Sequence, residues 1–325
     1  MKKLLMCLLF FVTNVALAWQ PTKIVDVVVP FPPGSGNDVI ARTLTEAMSR
    51  NSGGTVKYNI VNRPGAGGVV GNTYFTQQPN DGHTIAVLSV GGIAAMDSTF
   101  PVFREKPPYD LSSFTFVSSL GNSPNSIIAN INDPVNTPED LVRALTTEKV
   151  VVAESGAANK LGLESVLLYI DAKNKNPNLV RVEHKGPAES IPDVIGGHVR
   201  FASMPLSVSY AHHKANKLKV VALTQPNSVS ELNLRGFGNI NKNINVDVSW
   251  CLALPKNTPR NIVEWYKTEI TKAFLDDKVK SVYATNMYLV PPSNLQNPDN
   301  FTKWIINYEK FHKPVVDIII KNIKN

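Results

Sequence analysis

Two short segments of small and polar residues have the composition of anion-binding loops. Residues 34–38 (GSGND) directly follow an apolar, β-branched run and precede a helical pattern. Glycines leave backbone N–H groups uncovered, and a helix N-terminus adds unpaired donors and the positive end of the helix dipole. Residues 152–159 (VAESGAAN) repeat this arrangement, with Ser155 and Asn159 as further donors. Each segment alone also fits an ordinary strand–helix turn with a capping side chain.

The pairing of the two segments is what indicates a ligand. Open α/β sheets bind ligands beyond the carboxyl ends of their strands, so two such loops facing one cleft are suited to hold a carboxylate. A hydrogen bond to a charged group contributes about 1.5–3 kcal/mol, and a helix terminus adds up to about 2 kcal/mol. Four or five such contacts, less the costs of closure, account for the ~8 kcal/mol of micromolar binding. Neither loop contains a basic residue, so amides and side-chain donors must supply the attraction.

Other chemistries find little support in the sequence. The motifs G-x-S-x-G, H-E-x-x-H and G-x-x-x-x-G-K-[ST] do not occur. Residues 62–68 (NRPGAGG) do not begin a dinucleotide loop, because Val70 occupies the last glycine position. Adjacent His212 and His213 cannot both face one metal ion and are typical of a solvated helix end, while Cys251 is predicted to be a buried core thiol. We therefore expect no metal and no cofactor, although a spatially assembled Ser-His-Asp set leaves an exported α/β hydrolase as an alternative.

The N-terminus indicates export. Lysines at 2–3, an apolar run at 4–12 and an A-x-A pattern at 16–18 predict a signal peptide that is cleaved after Ala18. The alternative of a membrane anchor is disfavoured, since a span needs about 20 apolar residues. A lipoprotein signal at Cys7 is disfavoured by the large residue before it. Cleavage lowers the formal net charge from +7 to +5, and no basic run suggests nucleic-acid binding.

Strands and helices alternate in two similar units. The first has strands at 24–29, 56–61 and 84–88 and helices at 38–50 and 69–78; the second has strands at 150–153, 179–182, 199–202 and 218–223 and helices at 161–170 and 187–195. Extended segments at 114–119 and 126–129 separate the units, and a strand at 249–254 with helices at 259–275 and 301–320 completes the chain. Alternation of this kind predicts mostly parallel sheets with right-handed crossovers.

The second unit lies within the first, which predicts a two-lobed α/β fold joined by two extended crossings, near Ser119 and Thr224. Lobe 1 would comprise 19–121 and 226–325, and lobe 2 would comprise 122–225.

Several motifs carry a family resemblance. Residues 28–38 (VVPFPPGSGND) resemble the signature VPFPPGGGTD, residues 62–68 resemble ENRPGAGG, and residues 79–84 (PNDGHT) resemble PDGYT. Further matches follow in order at 108–110, 155–156, 184–186, 196–197, Trp250 and 255–259. The chain thus resembles the periplasmic receptors of tripartite tricarboxylate transporters, the Bug-type solute-binding proteins, over essentially its whole mature length.

The resemblance implies a type II periplasmic-binding-protein fold, a periplasmic location, no catalysis and no cofactor. The implied ligand is a mono-, di- or tricarboxylate, and the implied partner is an inner-membrane transporter with one large and one small subunit. A binding protein that signals to a membrane kinase is the alternative within this fold, and we expect a monomer. Carried over residue by residue, the ligand-binding positions are Pro33, Gly34, Ser35, Gly36, Asn37, Asp38, Ser89, Gly91, Ser155, Gly156, Asn159, His184 and Met204.

Some positions depart from the family pattern. Asn37 and Asn159 replace threonines, Gly162 stands where histidine is common, and His184 replaces a tyrosine. An Asp-Asn pair is replaced by Met204-Pro205, and Arg200 replaces an acid. These departures predict a less polar far end of the pocket and a ligand without an ammonium group at its second end.

Overall fold

The computed structural model describes residues 19–94, 108–155, 166–167, 170, 176–184 and 189–323. The strands are β1 (Val25–Val29), β2 (Tyr58–Asn62), β3 (Thr84–Ser89), β4 (Phe114–Asn130), β5 (Val150–Ser155), β6 (Leu179–His184), β7 (Phe201–Pro205), β8 (Leu218–Leu223) and β9 (Asp247–Pro255). The helices of the described residues are α1 (Gly36–Asn51), α2 (Val69–Thr76), α3 (Val90–Ala94), α4 (Pro138–Thr147), α5 (Ser190–Ile195), α6 (Leu206–Lys214), α7 (Arg260–Ala273), α8 (Asp277–Thr285) and α9 (Pro298–Ile323). The predicted signal peptide and most of the helix predicted at 161–170 lie outside the described residues.

The strands form one mixed sheet that runs through both lobes, in the order β2-β1-β3-β9-β4-β7-β5-β6, with β8 also on β4. In lobe 1, β1 pairs in parallel with β2 and β3. In lobe 2, β5 pairs in parallel with β6 and β7. The pairs that involve β4 or β9 are antiparallel. This arrangement confirms the predicted α/β fold, with helices packed on a central sheet in each lobe.

The first crossing is longer than the sequence indicates. We predict two separate extended segments on either side of residues 121–124, but β4 continues without interruption from Phe114 to Asn130. Its first part pairs with β9, and its second part pairs with β7 and β8. Two register shifts next to Val117 and Leu120 let the strand bend while it stays hydrogen-bonded. Glycine and proline are therefore accommodated inside a strand instead of ending it.

The buried apolar residues fall into separate clusters for the two lobes. In lobe 1, α1 packs Ile40, Leu44 and Met48 against β1 and β3, which is the helical face predicted from their spacing. In lobe 2, clusters form around β4, β5 and β7. Phe237 and Ile244 join the lobe 2 core, although they follow the predicted boundary at 225. The lobe boundaries stay a prediction, and this packing favours a return crossing nearer residue 246.

The crossing strand depends on a glycine that tolerates an unusual backbone conformation. Gly121 has φ +104°, and a Cβ atom there would overlap the carbonyl oxygen of Leu289. We expect Gly121→Ala to lower the free energy of unfolding by about 3 kcal/mol or more, because strain and overlap add. Urea unfolding measures this loss. Gly53 also has positive φ, +62°, but nothing within 4 Å of its Cβ position. Gly53→Ala should cost only about 1 kcal/mol, and equal losses for both variants would contradict the steric argument.

Among the described residues, none of the helices combines the length and the apolar character that crossing a membrane would need.

Candidate ligand-binding site

The loop between β1 and α1 is held by one buried carboxylate. Asp38 Oδ2 accepts hydrogen bonds from the Gly34 amide at 2.9 Å and from Arg42 Nε at 3.0 Å, and its Oδ1 accepts from Asn62 Nδ2 at 3.0 Å. Although burial favours the neutral form, these bonds hold the pKa of the Asp38 carboxyl below its usual value. Both Asp38 and the Gly34 amide are thus engaged within the protein. Asp38 shapes the loop, and its negative charge is balanced by Arg42.

Asn37 is likewise used to position the helix. Its Nδ2 donates to the Val87 carbonyl in β3 at 3.0 Å, and its Oδ1 accepts from Trp250 Nε1 in β9 at 3.1 Å. The side chain is 5% exposed. Asn37 therefore ties the first turn of α1 to two neighbouring strands.

Two main-chain amides are among the donors left at this end of α1. Ser35 is the N-cap, and its hydroxyl accepts from the Asp38 amide at 3.3 Å. Among the described residues, the N–H groups of Gly36 and Asn37 have no hydrogen-bond acceptor. Two adjacent unpaired amides at the positive end of a helix of 16 residues form a suitable anion site.

Gly36 is required by close packing, not by its φ angle. A Cβ atom at this position would lie 2.9 Å from Trp250 Cζ2 and 3.5 Å from the Tyr288 hydroxyl. The Trp250 and Tyr288 rings meet edge to face with centroids 4.9 Å apart. An aromatic pair therefore lies directly against the first residue of α1.

The remaining predicted positions of lobe 1 lie around the same strand ends. Pro33 is exposed in the β1–α1 loop. Ser89 ends β3, is 6% exposed, and pairs in register with Trp250, which places it beside the α1 N-terminus. Gly91 follows in the short helix α3 and is buried. The predicted lobe 1 positions thus share one region at the carboxyl ends of β1 and β3.

The lobe 2 positions are only partly described. Ser155 ends β5 and pairs with His184, the last residue of β6, so the two positions are brought together. Gly156, Asn159 and Gly162 lie outside the described residues. The His184 ring is engaged by Asp193, with Nε2 2.8 Å from Oδ2.

Met204 and Arg200 differ from expectation. The Met204 side chain is fully buried in the lobe 2 core and its carbonyl accepts from Ser126 Oγ at 2.9 Å, so a ligand contact through the Met204 side chain does not fit this structure. Arg200 precedes β7 and binds Asp133 at 2.8 Å and Glu148 at 2.5 Å. Its amide donates to the Val151 carbonyl at the start of β5. Arg200 therefore lies at the amino-terminal ends of these strands, away from the carboxyl ends where the ligand site is predicted. The expectation that the ligand lacks an ammonium group stays a prediction.

Other reactive residues occupy structural positions. Cys251 is buried opposite Leu88, and burial raises the pKa of its thiol, which confirms a core role and disfavours a nucleophile. His212 and His213 lie in the last turn of α6, as predicted for a helix end. Among the described residues, no group of three or more His, Cys, Asp or Glu side chains has the arrangement of a metal site.

Sequence reasoning missed Tyr288, whose hydroxyl lies against the α1 N-terminus, and its neighbour Ser207. Tyr288 follows α8 in a segment without a recognisable motif, and Ser207 is in the first turn of α6, a helix of which the sequence indicated only the histidine end. Burial raises the pKa of Tyr288 to about 12, and the neighbouring Ser207 hydroxyl opposes this effect. These residues are more than 80 positions apart, so only the fold brings them together.

Comparison with known proteins agrees with the predicted fold and family. The sequence profile of the tripartite tricarboxylate transporter family receptor matches residues 40–316. A UPF0065 protein of Pseudomonas sp. (strain P51) is 27% identical over 267 residues, covering 78% of this chain and 74% of the relative. The solved structure of a periplasmic transporter has a TM-score of 0.79 at 26% identity, covering 93% of this chain and 98% of that one.

The fold is also that of MatC from Rhodopseudomonas palustris, solved with bound malate, with a TM-score of 0.79 at 21% identity and coverage of 91% and 100%. The predicted fold class and family are both confirmed. The chain is therefore a member of the tripartite tricarboxylate transporter receptor family, which consists of periplasmic solute-binding proteins.

Proposed function

We propose that this receptor binds the carboxylate of a small organic acid at the N-terminus of α1, between its two lobes. The observation that carries the proposal is the pair of unpaired amides at Gly36 and Asn37, in a turn fixed by the side chains of Asn37 and Asp38. Preorganised donors bind an anion without paying the cost of ordering a flexible loop. The bound malate of the similarly folded MatC supports a carboxylate ligand.

Lobe 2 completes the site in this proposal. Ser155, Gly156 and Asn159 would approach from the β5 strand end, and Ser89 and Gly91 would line the lobe 1 side. Closure of the lobes would then remove the bound acid from water and present a distinct shape to the membrane partner. We further propose that the acid is released unchanged, because the groups described at the α1 N-terminus bind anions and include no nucleophile paired with a base.

Export and assembly follow from the same proposal. The chain would lose residues 1–18 by cleavage after Ala18 and act in the periplasm as a monomer. Its transporter would have one large and one small membrane subunit, to which the closed receptor delivers the acid.

Ligand binding is tested by thermal unfolding and titration calorimetry of the mature protein with malate, succinate, citrate, adipate, aspartate and benzoate. We expect at least one acid to raise the melting temperature, since a ligand at about 100 times its Kd stabilises the folded state by about 2.7 kcal/mol. The amide of the same acid is the matched control, because it keeps the shape and removes the charge. A ligand-bound sample analysed after incubation should return the acid intact. Equal effects of acid and amide, or conversion of the acid, would contradict the proposal.

A further inference from the structure

The Tyr288 hydroxyl lies against the α1 N-terminus, and the hydroxyl of Ser207, from the predicted lobe 2, lies beside it. We propose that Tyr288 and Ser207 bind the ligand carboxylate together with the Gly36 and Asn37 amides, so that the anion is held from both sides of the cleft. The inference rests on the proposed function and names two further residues of that site.

Tyr288 is placed at this point by its own lobe. It follows α8, its amide donates to the Tyr283 carbonyl at 2.8 Å, and its ring contacts Trp250 and Tyr283. The residue is only 6% exposed, and its hydroxyl comes within 3.5 Å of the position that a Gly36 Cβ would occupy. The tyrosine hydroxyl is therefore directed toward the first turn of α1 and not toward bulk solvent.

Ser207 reaches the same place from lobe 2. It is in the first turn of α6, a nine-residue helix that has no side-chain cap, and its amide donates to Ser123 Oγ at 3.3 Å. Its own hydroxyl is inaccessible to solvent and makes no hydrogen bond of good geometry among the described residues. The Tyr288 hydroxyl is its neighbour and interacts with it closely enough to oppose the rise in the pKa of Tyr288.

An unsatisfied hydroxyl in a buried position is unfavourable unless a partner arrives. Tyr283 offers a contrast in the same aromatic cluster, because its hydroxyl donates to the Leu120 carbonyl at 2.8 Å and is satisfied within the protein. Packing alone would be served by phenylalanine at 288 and by alanine at 207. A tyrosine–serine pair in which the Ser207 hydroxyl has no partner of good geometry, beside two amides without acceptors, indicates that an acceptor from outside completes the site.

A carboxylate has the required number of acceptor positions. Its two oxygens carry about four lone-pair sites, which matches two amide and two hydroxyl donors. Both hydroxyls are neutral donors at physiological pH, since burial raises the pKa of Tyr288 to about 12. Binding by neutral donors also agrees with the state of Arg42, a nearby cation in α1, because Arg42 is paired with Asp38.

The test compares Tyr288→Phe with Tyr283→Phe, using the acid of the panel above that most raises the melting temperature of the wild type. We expect Tyr288→Phe to raise the Kd by about 10- to 100-fold, as for loss of a hydrogen bond to a charged group. Its melting temperature without ligand should stay near that of the wild type. Tyr283→Phe should lower that melting temperature and leave the Kd within about twofold. Ser207→Ala, from the opposite lobe, should weaken binding in the same way as Tyr288→Phe.

The outcomes separate the two proposals. If the wild type binds an acid and both Tyr288→Phe and Ser207→Ala keep its Kd, the inference is overturned while carboxylate binding stands. If the wild type binds none of the acids, the proposed function fails and the inference fails with it. Weakened binding by Tyr288→Phe with an unchanged melting temperature supports a direct contact, which a merely structural role would not produce.

Discussion

Replacement of Gly36 by valine is expected to abolish carboxylate binding, with a rise in Kd of more than about 100-fold. A Cβ atom at this position already comes within 2.9 Å of Trp250 Cζ2, and the two γ-methyl groups add to this overlap. Trp250 is 1% exposed and donates to Asn37, so it cannot move without disturbing the first turn of α1. Displacement of the turn would misdirect both unpaired amides, and overpacking costs about 1–3 kcal/mol of stability in addition.

The matched control for this prediction is Gly34→Asn in the same loop. Gly34 has φ +81°, which asparagine tolerates better than most residues, and nothing lies within 4 Å of its Cβ position. Its amide, which donates to Asp38, is retained. We expect this variant to bind within about tenfold of the wild type in calorimetric titration. If Gly36→Val binds as tightly as Gly34→Asn, the site is not at the α1 N-terminus.

Removal of the charge on Asp38 is expected to be the most destabilising single change in the loop. Asp38→Asn keeps the shape but loses the ion pair with Arg42 and one of the accepting oxygens that hold Gly34 and Asn62. We expect a loss of about 2–3 kcal/mol in urea unfolding and a weaker affinity, because the loop that orients the amides becomes less ordered. Asp299→Asn is the control, since Asp299 is an exposed partner of Arg260 and its loss should cost less than about 1 kcal/mol.

The same substitution should change the acid limb of the stability profile. The folded-state pKa of Asp38 lies below its usual value, so its contribution is present above about pH 4 and is lost as the pH falls through the folded-state pKa. The wild type should therefore lose stability below pH 4 more steeply than Asp38→Asn does. Parallel acid limbs for the two proteins would show that the Asp38 carboxylate does not contribute in this way.

The sequence by itself determined the fold class and the location of the first anion-binding loop. β1 is read directly from its run of β-branched residues, and the face of α1 follows from the spacing of Ile40, Leu44 and Met48. The turn that contains Ser35 was predicted because glycines and capping side chains favour a strand–helix turn through short-range effects. Such features depend on residues close in the chain, where short-range sterics and hydrogen bonding decide the outcome.

Tertiary structure decided what each loop residue does. Asn37 and Asp38 were predicted to bind a ligand, but contacts with Val87, Trp250, Arg42 and Asn62 use their side chains to build the site. A polar residue in a pattern does not reveal its acceptor, because strands β3 and β9 approach α1 only after the sheet has formed.

The same limit applies to Arg200 and to the two hydroxyls. Arg200 was interpreted as part of the pocket, but the parallel pairing of β5 with β7 places it at the amino-terminal ends of these strands, away from the predicted site. Tyr288 and Ser207 belong to no recognisable motif. Tyr288 follows α8 and Ser207 begins α6, so only the packing of these distant segments brings the two residues together. Local patterns specify elements and turns, whereas the choice between a side chain that supports a site and one that faces the ligand depends on contacts between distant parts of the chain.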